Sequence, residues 1–186
     1  NMEQIAVLVF EQDEAGYWTG WQSGEEKAND AYKELEQLVK KGEIQIESAT
    51  IVVKKKDGDV KLSRTSEWTA GKGAGRGAFW GLLVGLILGG PVAGLLAGLG
   101  LGAILGGRKA GGIDRDFMKE LAESLVPGNA ALFMLIPAEH EPTIKRLASF
   151  NAALHTTPLT DDVQEAVEQA TEHKDVLAAI KFDELE

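Results

Sequence analysis

The sequence predicts an α+β fold: a ferredoxin-like sheet-and-helix domain, interrupted by an inserted glycine-zipper helical hairpin and followed by an acidic C-terminal helix. Three observations lead there. Short apolar or alternating runs of strand length recur through the chain, at 5–10, 44–53, 60–64, 130–136 and 152–159. Stretches between them carry apolar residues at helical spacing. Between 71 and 112 both patterns give way to glycine at every fourth residue. The order is strand, helix, two strands, helical hairpin, helix, strand, helix, strand, helix. Short helices between strands imply helices laid on one face of a sheet. The expected division is a discontinuous α+β domain over 1–70 and 113–160, the hairpin over 71–112, and the tail over 161–186.

The first run, Ile-Ala-Val-Leu-Val-Phe at 5–10, is apolar without alternation, as in a strand buried on both faces. A polar loop with Tyr17, Trp18 and Trp21 follows; its aromatics suit a lid over the core better than an interfacial anchor. Ser23 and Glu26 stand at capping-box spacing. Ala28, Ala31, Tyr32, Leu35, Leu38 and Val39 then line one helical face, which Gly42 closes. Ile44, Ile46, Ala49, Ile51 and Val53 read as a strand, Asp57-Gly58 as a hairpin turn, and Val60, Leu62 and Arg64 as the returning strand. Lys54, Lys55, Lys56 and Lys61 collect there, more in keeping with a solvated sheet edge than with a lipid-binding patch.

The glycine block forms two runs: Gly73, Gly77, Gly81, Gly85 and Gly89, then Gly90, Gly94, Gly98, Gly102 and Gly106. Its other residues are almost all Leu, Ile, Val, Ala, Phe and Trp, and no charge occurs from Gly77 to Gly107. Each internal glycine costs a helix about 1 kcal/mol relative to alanine. Close helix–helix approach offsets that cost. Gly89-Gly90-Pro91 supplies a helix end followed by a helix start, so two arms are expected, 75–89 and 91–107. Lys72 and Arg76 would then stand beside Arg108 and Lys109 as a basic collar. Each arm would be only about 21 to 25 Å long, short of the roughly 30 Å of a bilayer core. A hairpin dipping part-way into lipid, or one buried in an oligomer, fits better than two full crossings.

Beyond the block, Asp114 is the expected N-cap of a helix that buries Phe117, Met118, Leu121 and Leu125, and Pro127-Gly128 ends it. A continuous apolar strand follows at 130–136, then a short helix at 142–150 with Ile144, Leu147 and Ala148 inward, and a last strand at 152–159. The final helix, 161–182, presents Val163, Ala166, Val167, Ala170, Leu177 and Ile180. Residues 161–186 hold nine acids against two lysines, so −7 of the net charge of −10 lies in the tail.

Motifs of chemistry are sparse. Gly73, Gly75 and Ala78 match a loose dinucleotide fingerprint, but the acid it needs about 20 residues on would fall inside the apolar block. Lys72 lacks Walker spacing. His140, His155 and His173 are scattered, without metal-ligand spacing. The chain has no cysteine, which excludes disulfides and thiolate metal sites. Its negative charge argues against nucleic-acid binding. No cofactor, metal site or small-molecule substrate is expected, and no catalytic residue nominates itself.

The segment Gly75-Arg76-Gly77-Ala78-Phe79-Trp80-Gly81, followed by Gly112-Ile113-Asp114, Phe117-Met118-Lys119-Glu120-Leu121 and Pro127-Gly128-Asn129-Ala130-Ala131-Leu132-Phe133, resembles the bacterial predicted-membrane-protein family that carries domain of unknown function 1269. The similarity runs over about 5–160, with the loop around Tyr17 to Trp21 as an addition and the acidic tail as an extension. It implies a soluble flanking fold carrying a glycine-rich hydrophobic segment, and no catalytic residue. The expected function is self-association: glycine-zipper hairpins that oligomerise and insert in or attach to a bilayer, or pack in the shared apolar core of a soluble homo-oligomer. A pore or a ligand-binding enzyme fits less well. The partners expected are further copies of the chain and membrane lipid. The expected location is the cytoplasmic membrane, flanking domains facing the cytoplasm; the alternative is a soluble cytoplasmic assembly.

Overall fold

A computed structural model describes residues 3–14, 22–67, 76–88, 113–148, 152–170 and 172. In chain order the elements are β1 (Glu3–Phe10), α1 (Gly24–Lys40), β2 (Ser48–Lys54), β3 (Val60–Glu67), α2 (Arg76–Ile87), α3 (Arg115–Ser124), β4 (Ala130–Pro137), α4 (Glu141–Leu147), β5 (Ala152–Pro158) and α5 (Asp161–Ala170). A single 3-10 turn, Ala138–His140, leads into α4. The fold is α+β, a five-stranded sheet in the order β3-β2-β4-β1-β5. Every neighbouring pair is antiparallel.

The local chemistry explains the element ends. Ser23 and Glu26 form both halves of the expected capping box. Gly42 and Gly58 take the left-handed φ values of 72° and 92° that a helix exit and a tight hairpin turn require. Asp114 caps α3, its side chain accepting from the amides of Asp116 and Phe117 at 2.7 and 3.1 Å. Ile44 and Ile46 are buried as expected, but they precede β2, whose pairing begins at Ser48.

β1 and β4 are buried along almost their whole length on both faces, as their unbroken apolar runs required. This corrects one expectation: helices cover both faces of the sheet. On one face α1 and α4 bring Ala28, Tyr32, Leu35, Ile144 and Leu147 against Leu8, Phe10, Ile51 and Leu132. On the other, α2, α3 and α5 bring Trp80, Leu83, Phe117, Leu121, Val163 and Val167 against Val7, Val52, Phe133 and Leu135. The first arm of the glycine block is therefore core-forming, not an appendage. Three helices besides the insert lie between strands, and nothing in the sequence pattern assigns each of them to a face. The expected second arm, the turn at Gly89-Gly90-Pro91, the aromatic loop and the tail beyond Ala170 (Glu172 excepted) lie outside the described residues.

The connectivity interleaves two units. β4 lies between β1 and β2, which α1 joins; β1 lies between β4 and β5, which α4 joins. β3 extends the sheet beside β2, with a bulge between Ile51 and Val52.

Candidate functional site

The glycine-bearing helix α2 is the candidate site. Leu, Ile, Val, Phe and Trp supply its apolar side chains, and no charge follows Arg76 within it. Phe79, Trp80, Leu82, Leu83, Val84 and Ile87 are buried. Gly81, Gly85, Leu86 and Leu88 are half-buried. Placed at about 100° per residue, Gly81, Gly85 and Leu88 fall within roughly 60° of one another, opposite the centre of the buried arc. The helix thus turns its bulky residues into the domain and its glycine stripe the other way.

Trp80 fixes this orientation. Its side chain is fully buried. The indole N–H donates to the Ser48 hydroxyl on β2 at 3.0 Å. Its ring meets Phe79 edge-on at 5.8 Å and Phe133 of β4 at 6.1 Å. A buried indole N–H needs an acceptor, and Ser48 supplies a small buried hydroxyl on the same face of β2 as Thr50 and Val52. In sequence Ser48 carried no assigned role, and Trp80 entered only as part of the family-like segment; an indole beside a glycine stripe and a lone serine at a strand start were the available signals. α2 also packs along α5, α3 and β3.

Of the other residues singled out, Arg76 begins α2 and Gly77 lies in its first turn. Gly73, Gly89, Gly90, Pro91, Gly94, Gly98, Gly102, Gly106, Lys72, Arg108 and Lys109 lie outside the described residues. The lysine group at the β2–β3 hairpin flanks Asp57 and Asp59, and the turn is closed by main-chain bonds from the Lys55 amide to the Asp59 carbonyl and from the Gly58 amide to the Lys55 carbonyl. His140 accepts from the Gln45 amide at 3.3 Å, and His155 meets Glu120 at 3.2 Å. The two histidines have separate structural partners. Among the described residues, no group of three or more His, Cys, Asp or Glu could hold a metal.

Among the described residues, Asp13 and Tyr32 are perturbed. Lys27 hydrogen-bonds Asp13 and holds its carboxyl below the usual range, helped by the Gln22 amide. That contact ties the start of the β1–α1 loop to α1. Burial pushes the Tyr32 phenol up; the Arg64 guanidinium lies 4.5 Å over its ring. Neither group lies on α2, so neither arms it for chemistry.

Among the described residues, no helix is long and apolar enough to cross a membrane. α2 spans about 18 Å. A family model described as "Protein of unknown function (DUF1269)" matches residues 74–172, slightly over half of the chain and beginning later than the expected 5–160. No curated protein and no solved structure matches the chain.

Proposed function

We propose, from the premise that this chain belongs to the DUF1269 family, that it is a non-enzymatic, self-associating protein whose glycine-rich segment is its association element. One observation carries the reading: Gly81 and Gly85 lie on the half-buried side of α2, away from Trp80 and the sheet. Glycines facing the sheet would be accounted for by close helix–sheet packing. Glycines facing away weaken the helix by about 1 kcal/mol each without that return, and a second helix approaching main chain to main chain supplies it.

The setting we favour is a homo-oligomer in which the glycine faces share an apolar centre. Trp80 and its neighbours already belong to the domain's core, and moving α2 into lipid would bare Phe133 and break the bond to Ser48. Bilayer attachment is the second reading, favoured by a helix apolar around its whole circumference after Arg76; it then falls to the segment following α2. The same reading extends to the architecture. β2-β4-β1-β5 with α1 and α4 follows a ferredoxin-like order, to which β3 adds an edge and the glycine hairpin an insert.

Sedimentation of the full chain without detergent tests this. The expected result is a discrete multi-subunit particle that becomes smaller in a Gly81→Leu, Gly85→Leu variant. A monomeric wild type, or an unchanged particle in the variant, would refute self-association through this face. Flotation of the wild type with liposomes would favour the bilayer setting.

A further inference from the structure

The two edges of the sheet differ. β3 carries Lys61 and Arg64 and is bulged against β2, two devices that discourage edge-to-edge pairing. β5 reads Ala-Ala-Leu-His-Thr-Thr-Pro, without Asp, Glu, Lys or Arg, and pairs with β1 in unbroken register. Among the described residues no strand pairs with its outer side.

The register says which main-chain groups are free. The Leu159 amide donates to the Glu3 carbonyl at 3.0 Å. Antiparallel pairs alternate, so Thr157, His155 and Ala153 exchange bonds with Ile5, Val7 and Val9. The amides and carbonyls of Ala152, Leu154 and Thr156 therefore point outward. Pro158, which has no N–H, falls at the next outward position, as suits the end of an open edge.

We propose that this edge pairs with the β5 of a second copy, antiparallel about a two-fold axis at Leu154. In that register Leu154 meets Leu154, and Ala152 meets Thr156, so every outward group finds a complement and about six hydrogen bonds form. Charge selects the occupant. Each copy carries −10 overall, and two such bodies approach most easily where a strand has no acid. One carboxylate beside β5, Glu120 on α3, is held at His155. The charged, bulged β3 does not complement β5, so pairing closes as a dimer instead of propagating. This contact is separate from the glycine face: α2 packs at the β3 side of the sheet, the opposite edge.

The test is Thr156→Pro in the full chain, which deletes an outward donor and no β1–β5 bond. The wild-type mass is expected to halve in this variant at the same concentration. In wild type, the amides of Ala152, Leu154 and Thr156 are expected to resist hydrogen exchange at high concentration and lose that protection on dilution. The Gly81→Leu, Gly85→Leu variant is expected to keep it. An unchanged mass in a folded Thr156→Pro variant would overturn the proposal. So would edge amides that exchange freely at all concentrations, or protection indifferent to dilution, which would mean that the chain's own residues cover the edge. If the variant does not fold, the wild-type exchange data decide.

Discussion

Replacing Trp80 by Phe and Ser48 by Ala, singly and together, measures whether α2 is part of the core. The indole N–H and the Ser48 hydroxyl are buried and bonded at 3.0 Å. Ser48→Ala leaves the N–H with no acceptor, at about 1–3 kcal/mol. Trp80→Phe strands the hydroxyl at a similar cost and also removes ring atoms packed on Phe79 and Phe133, about 1–2 kcal/mol more at roughly 0.8 kcal/mol per buried carbon. The double variant removes both polar groups and keeps only the packing loss. Its destabilisation should fall short of the sum of the singles by both stranded-group penalties together, about 2–6 kcal/mol. Urea unfolding followed by circular dichroism reads all four proteins without depending on the altered tryptophan. Additive effects, or single variants within about 0.5 kcal/mol of wild type, would refute the docking of α2.

Three further outcomes follow from the packing. A Cβ on Gly24 would meet the Ala130 amide, the Phe10 carbonyl and the Gly128 carbonyl at 2.6, 2.7 and 2.8 Å, all main chain. Gly24→Ala should therefore cost several kcal/mol in urea unfolding, about 3 or more by analogy with overpacked cores; a near-neutral variant would contradict this approach of α1 to the sheet. Burial raises the Tyr32 phenol, so the folded state favours the neutral form. Its contribution is complete below the ordinary tyrosine value of 10.0 and is lost as pH rises through the raised folded value; Tyr32→Phe should flatten the fall in stability that sets in above 10.0, and an unchanged profile would contradict the assignment. Finally, a fragment of residues 74–172 should fail to fold by circular dichroism and proteolysis. It holds β4 and β5 but lacks β1, which separates them, and β2, the other neighbour of β4. A stable, cooperative fragment would contradict the interleaved sheet.

Local signals carried much of this fold. Ser23 with Glu26, Gly42, Asp57-Gly58 and Asp114 each announced an element end because one side chain or one φ value decides the geometry there. The unbroken apolar runs of β1 and β4 announced central strands because both of their faces are covered. The pairing order was less legible: β1 and β5 meet across some 150 residues, and alternation does not encode which strand lies beside which. The placement of α2 was least legible. A helix apolar on every side has no preferred face in sequence, so the spacing of its glycines was visible while the docking of Trp80 was not. That docking depends on Ser48, a residue that only the folded sheet brings within reach.

The most direct measurement uses a chain whose Trp18, Trp21 and Trp68 are replaced by Phe, leaving Trp80 alone of the four tryptophans. Its fluorescence is recorded with acrylamide and with vesicles of brominated phospholipid. A helix held on its own sheet gives short-wavelength emission that neither quencher reaches. Strong quenching by the brominated lipid would put Trp80 in the bilayer and contradict an α2 built into the core.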